Sequence, residues 1–308
     1  MEHKALKESA LGMKALNPGG IRPLTLGKRA VKEFIDDDMA TYAAALSYHA
    51  LFALFPFLIF LISLLSFLRI PEFFTWVLDQ SRPVLPRDAY ERVVEVVGQI
   101  QNQPRGGLLS FGAITAIWAA SAGMRALMNA LNIAHDVKES RSLPKRYLLS
   151  IGFTIGLAIL LLTAVGLMAL GPRAIEWLAD QAGLGSLSVT LWTWLRIPVA
   201  VVLLAMIAAL IYYVAPNIDA PFQLITPGAI IAVIVWLLAS GGFAIYATNF
   251  GTYSATYGSL GGIVIALFYF YISAAALLLG AEINAEVQFA KMGHPQPEEG
   301  GEAAKLAR

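Results

Sequence analysis

Long apolar runs separated by short polar segments dominate this chain. Between Met39 and Leu68, 30 residues contain no Asp, Glu, Lys or Arg, whereas a helix needs about 20 apolar residues to cross a bilayer core. A second charge-free run covers the 62 residues from Ala220 to Ala281, and the glycine-rich segment 249–262 predicts a turn inside it. The pattern predicts about six membrane-spanning helices. They are expected at residues 39–68, 107–134, 147–171, 191–214, 222–248 and 259–283.

Two connections between the spans also have helical features. In segment 86–103, Tyr90, Val93 and Val97 recur at helical spacing between charged residues. Such a helix can lie on the membrane surface, cover a cavity or cap the bundle. In segment 172–182, Pro172 can begin a short helix. The sequence therefore predicts an all-α polytopic membrane helix bundle with amphipathic helices outside the cytoplasm.

Composition and the distribution of basic residues define the topology further. Only 14% of the residues are charged, against roughly 25% in a soluble domain. The segments on the N-terminal side of the predicted membrane contain 14 Lys or Arg and the opposite connections contain six, which predicts that both termini are cytoplasmic. Residues 1–34 are expected to form a basic arm near anionic lipid, residues 35–288 the membrane domain, and residues 289–308 a disordered tail.

Several classes of chemistry have no support in the sequence. The net charge of +1 and the absence of cysteine provide neither a broad basic surface for nucleic acid nor a thiolate site. The four histidines show no zinc-binding spacing, and neither a GxxxxGK[ST] phosphate loop nor a GxSxG motif is present. We therefore expect no metal, no cofactor, no catalytic residues and no nucleic-acid partner, and we expect that the chain is not an enzyme.

A polar stripe marks the second span. Ser121, Arg125, Asn129, Asn132 and Asp136 follow one another at spacings of three or four residues and share one helical face. Polar groups at this depth are costly in lipid, so the stripe is expected to face the bundle interior or water. The alternative is that the asparagines join helices by hydrogen bonds while the arginine reaches the headgroups.

Other candidate residues lie at the ends of the first and last spans. Asp38, Tyr42 and His49 share a face of the first span, and Glu282 ends the last. His49 can serve as a proton carrier or as a hydrogen-bonding residue between helices. Glu282 is a candidate counter-charge for Arg125, which predicts a buried ion pair. The substrate or cavity candidates are Arg125, Asn129, Asn132, Ser121, Tyr42, His49, Asp38 and Glu282.

Three segments resemble a known family. DDDMATYAAALSYHALFALFPFLIFLISLLSFL at 36–68, ALMNALNIAHDV at 126–137 and YGSLGGIVIALFYFYISAAALLLGAEINAEV at 257–287 resemble the YihY/BrkB family. The resemblance implies a six-helix protein of the bacterial inner membrane, and some members are linked to envelope integrity or virulence. The family was once labelled ribonuclease BN, but the resemblance supplies no catalytic residues.

These features support three hypotheses about function. The first is a transporter or flippase in which the first, second and last spans enclose a cavity for an anionic or amphipathic, lipid-like substrate. The second is an envelope scaffold that binds partners through segments 86–103 and 172–182. The third is a metal-dependent ribonuclease. The expected partners are membrane lipids and a small amphipathic or anionic substrate, and the sequence leaves the oligomeric state open.

Overall fold

A computed structural model describes residues 23–67, 87–102, 106–182, 186–218, 225–249 and 259–292, together with residues 75, 78, 79, 81, 82 and 223. Within these ranges the regular structure consists of eight helices. They are α1 (Pro23–Asp36), α2 (Met39–Phe67), α3 (Arg87–Asn102), α4 (Gly106–Ala134), α5 (Leu143–Ala182), α6 (Ser186–Val214), α7 (Pro227–Asn249) and α8 (Ser259–Met292).

Six of these helices are long and apolar enough to cross a membrane, which confirms the predicted all-helical membrane bundle. The spanning helices are α2 and α4 to α8, and the predicted boundaries differ from the observed ones by a few residues at most termini. The side of the membrane that each end faces stays a prediction.

Two segments depart from the expected boundaries. Segment 172–182 is not a separate helix, because α5 continues without a break through position 172 to Ala182; a proline removes one backbone hydrogen bond without forcing the helix to end. Likewise, α8 continues to Met292, past the expected start of the tail at residue 289. The rest of that tail and the first 22 residues lie outside the described residues.

Two shorter helices pack on the bundle. The apolar side of α3 rests on the far end of α2, where Val97 is buried against Leu61 and Ile62, so α3 acts as a cap. The helix α1, in the segment expected to be a basic arm, packs against α8. Its residues Ala30 and Phe34, one turn apart, lie in the bundle interior or against its core.

The six spans form a closed ring. Each spanning helix packs against the next along the chain, and α8 packs against α2, with a further contact to α4. The first, second and last spans therefore contact one another, as the cavity hypothesis requires. We call the end at which α2 begins and α8 ends the terminal end of the bundle.

The main hydrophobic core lies at this terminal end. Its buried residues come from the beginning of α2, the last part of α4, the end of α6, the first turn of α7 and the last part of α8. Representative members are Met39, Met128, Leu131, Tyr212 and Leu278. Toward the opposite end, the described residues contain few buried side chains, and the main core cluster does not extend there.

At the terminal end, α7 and α8 approach so closely that only glycine fits. A Cβ added at Gly228 would meet the carbonyl oxygen of Gly280 and the side chain of Asn284. Asn284 Oδ1 accepts a hydrogen bond of 2.9 Å from the Gly228 amide, and Thr226 Oγ1 accepts one of 3.2 Å from the amide of Ala229. These side chains satisfy amides of the first turn of α7, which have no partner inside the helix.

Toward the opposite end, the helices associate as pairs. In the α7/α8 pair, Trp236 Nε1 donates to Ser273 Oγ over 3.0 Å, and the rings of Phe243 and Tyr269 lie 5.1 Å apart. In the α2/α4 pair, the backbone of Phe60 lies against Gly112, where a Cβ would be 2.9 Å from the Phe60 nitrogen. The two pairs are joined by the core at the terminal end.

Candidate functional site

Arg125 lies between α4 and α5. Its Nη1 atom donates hydrogen bonds to Ser121 Oγ at 3.1 Å and to Ser150 Oγ at 3.2 Å. The guanidinium carbon lies 4.2 Å from the centre of the Tyr147 ring, a cation–π geometry. The side chain of Tyr147 is 49% exposed, on the outer surface of the helix bundle that would face lipid or headgroups. The arginine is therefore held at the edge of the bundle by neutral groups.

The predicted ion pair between Arg125 and Glu282 is not formed. Among the described residues, the partners of Arg125 are the two serine hydroxyls and the aromatic ring, and no carboxylate. Glu282 lies instead within electrostatic range of other acidic side chains. The physical reason is the rotation of α4 about its axis, which turns the Arg125 side chain toward Ser150 and Tyr147 of α5.

Asn129 is used as a link between helices. Its Oδ1 accepts a hydrogen bond of 2.6 Å from Arg146 Nη2 at the start of α5, and the same nitrogen lies 3.4 Å from the backbone oxygen of Arg125. The Nε atom of Arg146 lies 3.9 Å from a carboxylate oxygen of Glu139. The polar stripe is thus fixed to α5 by charge-assisted hydrogen bonds.

Asn132 joins the loop after α4 to the end of α6. Its Nδ2 donates to Glu139 over 3.1 Å, and its Oδ1 accepts a hydrogen bond of 2.7 Å from the amide of Asn217. Arg141 completes this junction by donating to the carbonyl oxygens of Ala215 and Pro216 at 3.1 and 2.6 Å. For both asparagines, the structure agrees with the interpretation that they join helices.

Arg125, Arg141 and Arg146 together form what we call the arginine cluster. Glu139 is its carboxylate, 3.8 Å from Arg141 Nε and 3.9 Å from Arg146 Nε. In this part of the described chain, Glu139 therefore pairs with two of the three guanidinium groups, while Arg125 is bound by neutral groups. The cluster retains excess positive charge at the terminal end of the bundle.

A tight turn ends α4 beside this cluster. Asp136, the last member of the stripe, has a φ of 53°, a left-handed conformation that ends helices. Its amide donates to Ile133 and the next amide, of Val137, donates to Asn132, as in a Schellman motif. His135 is buried with Nδ1 2.9 Å from the Leu131 oxygen, and desolvation by burial lowers the pKa of His135.

The candidates on α2 lie at different places. Asp38 is exposed in the turn before α2, with a φ of 53°. Tyr42 packs against the main core. His49 lies against Gly123 of α4, where a Cβ would be 3.1 Å from the histidine Cβ, and within electrostatic range of Arg125. Of these three residues, His49 is the one with a described interaction with Arg125.

Glu282 belongs to a second group, which we call the carboxyl cluster. It contains Glu282 and Glu286 of α8, Glu33 of α1, Asp37 of the following turn and Asp136, all within electrostatic range of Glu282. In the described residues, no group of three His, Cys, Asp or Glu side chains has the geometry to hold a metal ion.

Several important residues could not be selected from the sequence. Tyr147, Ser150 and Arg146 lie at the start of α5, and their role depends on which face of α5 meets α4. Glu33 was part of a segment expected to be a solvated arm. The spacing of Leu26, Ala30 and Phe34 is the signal that could have indicated the packed helix α1.

A chain with six apolar spans, a closed helix ring and polar clusters at one end is a polytopic α-helical membrane protein. It belongs to the Virulence factor BrkB family, whose sequence model matches residues 30–305. The predicted family resemblance is thereby confirmed.

Several curated proteins are similar to this chain. The ribonuclease-like protein YfkH of Bacillus subtilis (strain 168) is 38% identical over 209 residues, covering 68% of this chain and 76% of that protein. A UPF0761 membrane protein of Xanthomonas oryzae pv. oryzae (strain PXO99A) is 28% identical over 281 residues, covering 85% of this chain. The chain spans 60% of that relative's length. No solved structure matches the chain.

Proposed function

We propose that this protein moves an anionic, lipid-like molecule across the bacterial inner membrane as a transporter or flippase and performs no covalent chemistry. The observation that carries the proposal is the placement of Arg125: among the described residues its partners are neutral. A guanidinium without a counter-ion attracts an anionic headgroup, which would supply the missing charge.

The depth of Arg125 supports a membrane-embedded substrate. Arg125 lies nine residues before the end of α4, which corresponds to about 14 Å along the helix. A headgroup bound to Arg125 would lie below the interfacial region, at the edge of the bundle between α4 and α5. Its acyl chains could lie against the apolar outer surface of these helices. Arg141 and Arg146 extend the positive charge from Arg125 toward the terminal end, so a headgroup would encounter favourable potential along this route.

The distribution of packing supports a change in helix spacing next to the helix that carries Arg125. The main core binds the spans together at the terminal end, whereas the close contacts described toward the opposite end lie within the α2/α4 pair and within the α7/α8 pair. We infer that the space between these pairs can change while the core stays packed. The scaffold alternative has less support, because the buried face of α3 is already occupied by α2.

Reconstitution into liposomes tests the proposal. Purified protein is placed in vesicles with a fluorescent phosphatidylglycerol or a fluorescent phosphatidylcholine, and transfer between leaflets is followed with an impermeant quencher. We expect transfer of the anionic lipid above the rate in empty vesicles, and a decrease of about tenfold or more in Arg125→Gln, since a charge-assisted hydrogen bond contributes about 1.5–3 kcal/mol.

Lys145→Gln is the matched control, because Lys145 is an exposed basic residue near the same end of α5 and its loss should leave transfer unchanged. Equal transfer in empty and protein-containing vesicles would refute lipid movement. Transfer that is identical in wild type and Arg125→Gln would refute the assigned role of the arginine.

A further inference from the structure

Where α1 packs on the terminal end, four carboxyl groups lie within electrostatic range of Glu282. Glu282 and Glu286 lie one turn apart on α8, and the side chains of Glu33, Asp37 and Asp136 are within electrostatic range of Glu282. Among the described residues, Arg29 of α1 is the basic group in electrostatic range of Glu286. Of the other helices packed on α8, α7 contains no Asp, Glu, Lys, Arg or His, and α2 contains His49. The charged residue of α4 is Arg125, which is bound to Ser150 of α5.

The two glutamates of α8 are buried with oxygen atoms that lack hydrogen-bond partners. Glu282 is 1% exposed and Glu286 is 7% exposed. In the part of the chain that the structure describes, Glu282 Oε1 and Glu286 Oε2 have no hydrogen-bond partner. Buried polar atoms are nearly always hydrogen-bonded, and an ionised carboxylate is costly to bury without a cation. These oxygens therefore need a proton or a cation that the described side chains do not supply.

The geometry distinguishes two possible ligands. A metal ion needs several oxygen ligands at about 2.0–2.6 Å, and no three carboxyl or histidine side chains in the described part of the chain converge in that way. A proton needs only one carboxyl oxygen, and it removes the charge that makes burial costly. The arrangement fits a proton better than a metal ion.

We propose that Glu282, with Glu286 beside it, is a proton-binding site that controls the docking of α1 on the bundle. With a proton bound, α8 presents a neutral surface to Glu33 and Asp37, and Ala30 and Phe34 can pack inward. When the proton leaves, the new negative charge faces the acidic groups of α1 and of the adjacent turn. Repulsion between like charges then weakens the contact between α1 and α8.

Cysteine labelling measures this docking directly, because the natural chain contains no cysteine. Ala30→Cys places a thiol at a position that is 0% exposed, and Leu24→Cys places one on the same helix at a position that is 77% exposed. The rate of maleimide labelling at residue 30 is divided by the rate at residue 24, which corrects for the effect of pH on the reagent. This ratio is independent of any transport activity.

We expect the labelling ratio to rise by about tenfold or more between about pH 5 and about pH 9, since a single linked proton changes a population ratio tenfold per pH unit. Glu282→Gln, which stays neutral, should keep the ratio low throughout. A ratio that does not vary with pH in the wild-type background overturns the proposal. A pH-dependent ratio that persists in Glu282→Gln also overturns it, because another group would then be responsible.

A second measurement does not depend on the packing of the introduced cysteine. Infrared difference spectra of the cysteine-free protein between the two pH values should contain a protonated carboxyl band that disappears in Glu282→Gln. Sodium chloride and potassium chloride should give the same labelling ratio at fixed pH and ionic strength. A ratio that decreases specifically with sodium would replace the proton with a metal ion and refute the assignment.

Discussion

The contact of α7 with α8 allows a quantitative test of the packing at the terminal end. In Gly280→Ala, the added Cβ would lie 2.6 Å from the Gly228 oxygen and 2.7 Å from the Ala232 Cβ, and against Tyr212 Oη. Real Cβ atoms do not approach backbone this closely, so α7 must move away. Introducing a methyl group into a packed site costs about 1–3 kcal/mol.

The same change disturbs a buried hydrogen bond. Tyr212 Oη donates to the Leu277 oxygen over 2.6 Å, and the loss of such a bond costs about 0.5–1.5 kcal/mol. After subtraction of the helix preference of alanine, up to about 1 kcal/mol, we expect Gly280→Ala to lower the free energy of unfolding by about 1–4 kcal/mol. The effect should appear as a lower unfolding midpoint when purified protein is titrated with SDS in mixed micelles.

Gly262→Ala is the matched control on α8, because nothing lies within 4 Å of a Cβ added there. Alanine favours helix over glycine by up to about 1 kcal/mol, so this variant should be at least as stable as the wild type. If Gly280→Ala unfolds at the same midpoint as Gly262→Ala, then α7 and α8 are not in contact as described and the reasoning fails.

Two further predictions concern the polar junctions. In a double-mutant cycle of Arg146→Ala and Asn129→Ala, the 2.6 Å hydrogen bond should give a coupling energy of about 1.5–3 kcal/mol in SDS unfolding; strictly additive effects would contradict the contact. Burial lowers the pKa of His135, so the unfolded chain takes up a proton first, and stability should fall as the pH decreases below about 6.5. Thermal midpoints of wild type and His135→Gln, measured between about pH 7 and about pH 5, should show a smaller decrease for the variant, and an equal decrease would exclude His135 as the cause.

The spans could be predicted from the sequence because the membrane constrains them strongly. A helix in hydrocarbon must be apolar over about 20 residues, and the uncharged run from Met39 to Leu68 is too long and too apolar for a solvated segment. The helix α1 was missed for the opposite reason: its apolar residues Leu26, Ala30 and Phe34 lie among basic residues that also fit a solvated arm.

The partners of the polar stripe could not be predicted, because they depend on how each helix is rotated. The sequence places Arg125 on one face of α4 but does not indicate which neighbour that face meets. Close contacts elsewhere set the rotation, including Gly123 against His49 and Gly112 against Phe60. Both Glu282 and Ser150 are plausible partners before these contacts are known, and the packing selects Ser150.

The position of the main core has a consequence for the response of this protein to its bilayer. In the described residues the main core lies in one half of the bundle, so we expect a bilayer of different thickness to be accommodated chiefly by tilting of the other half. Lipid composition would then change the separation of the α2/α4 and α7/α8 pairs at the end opposite the main core, while that core stays packed.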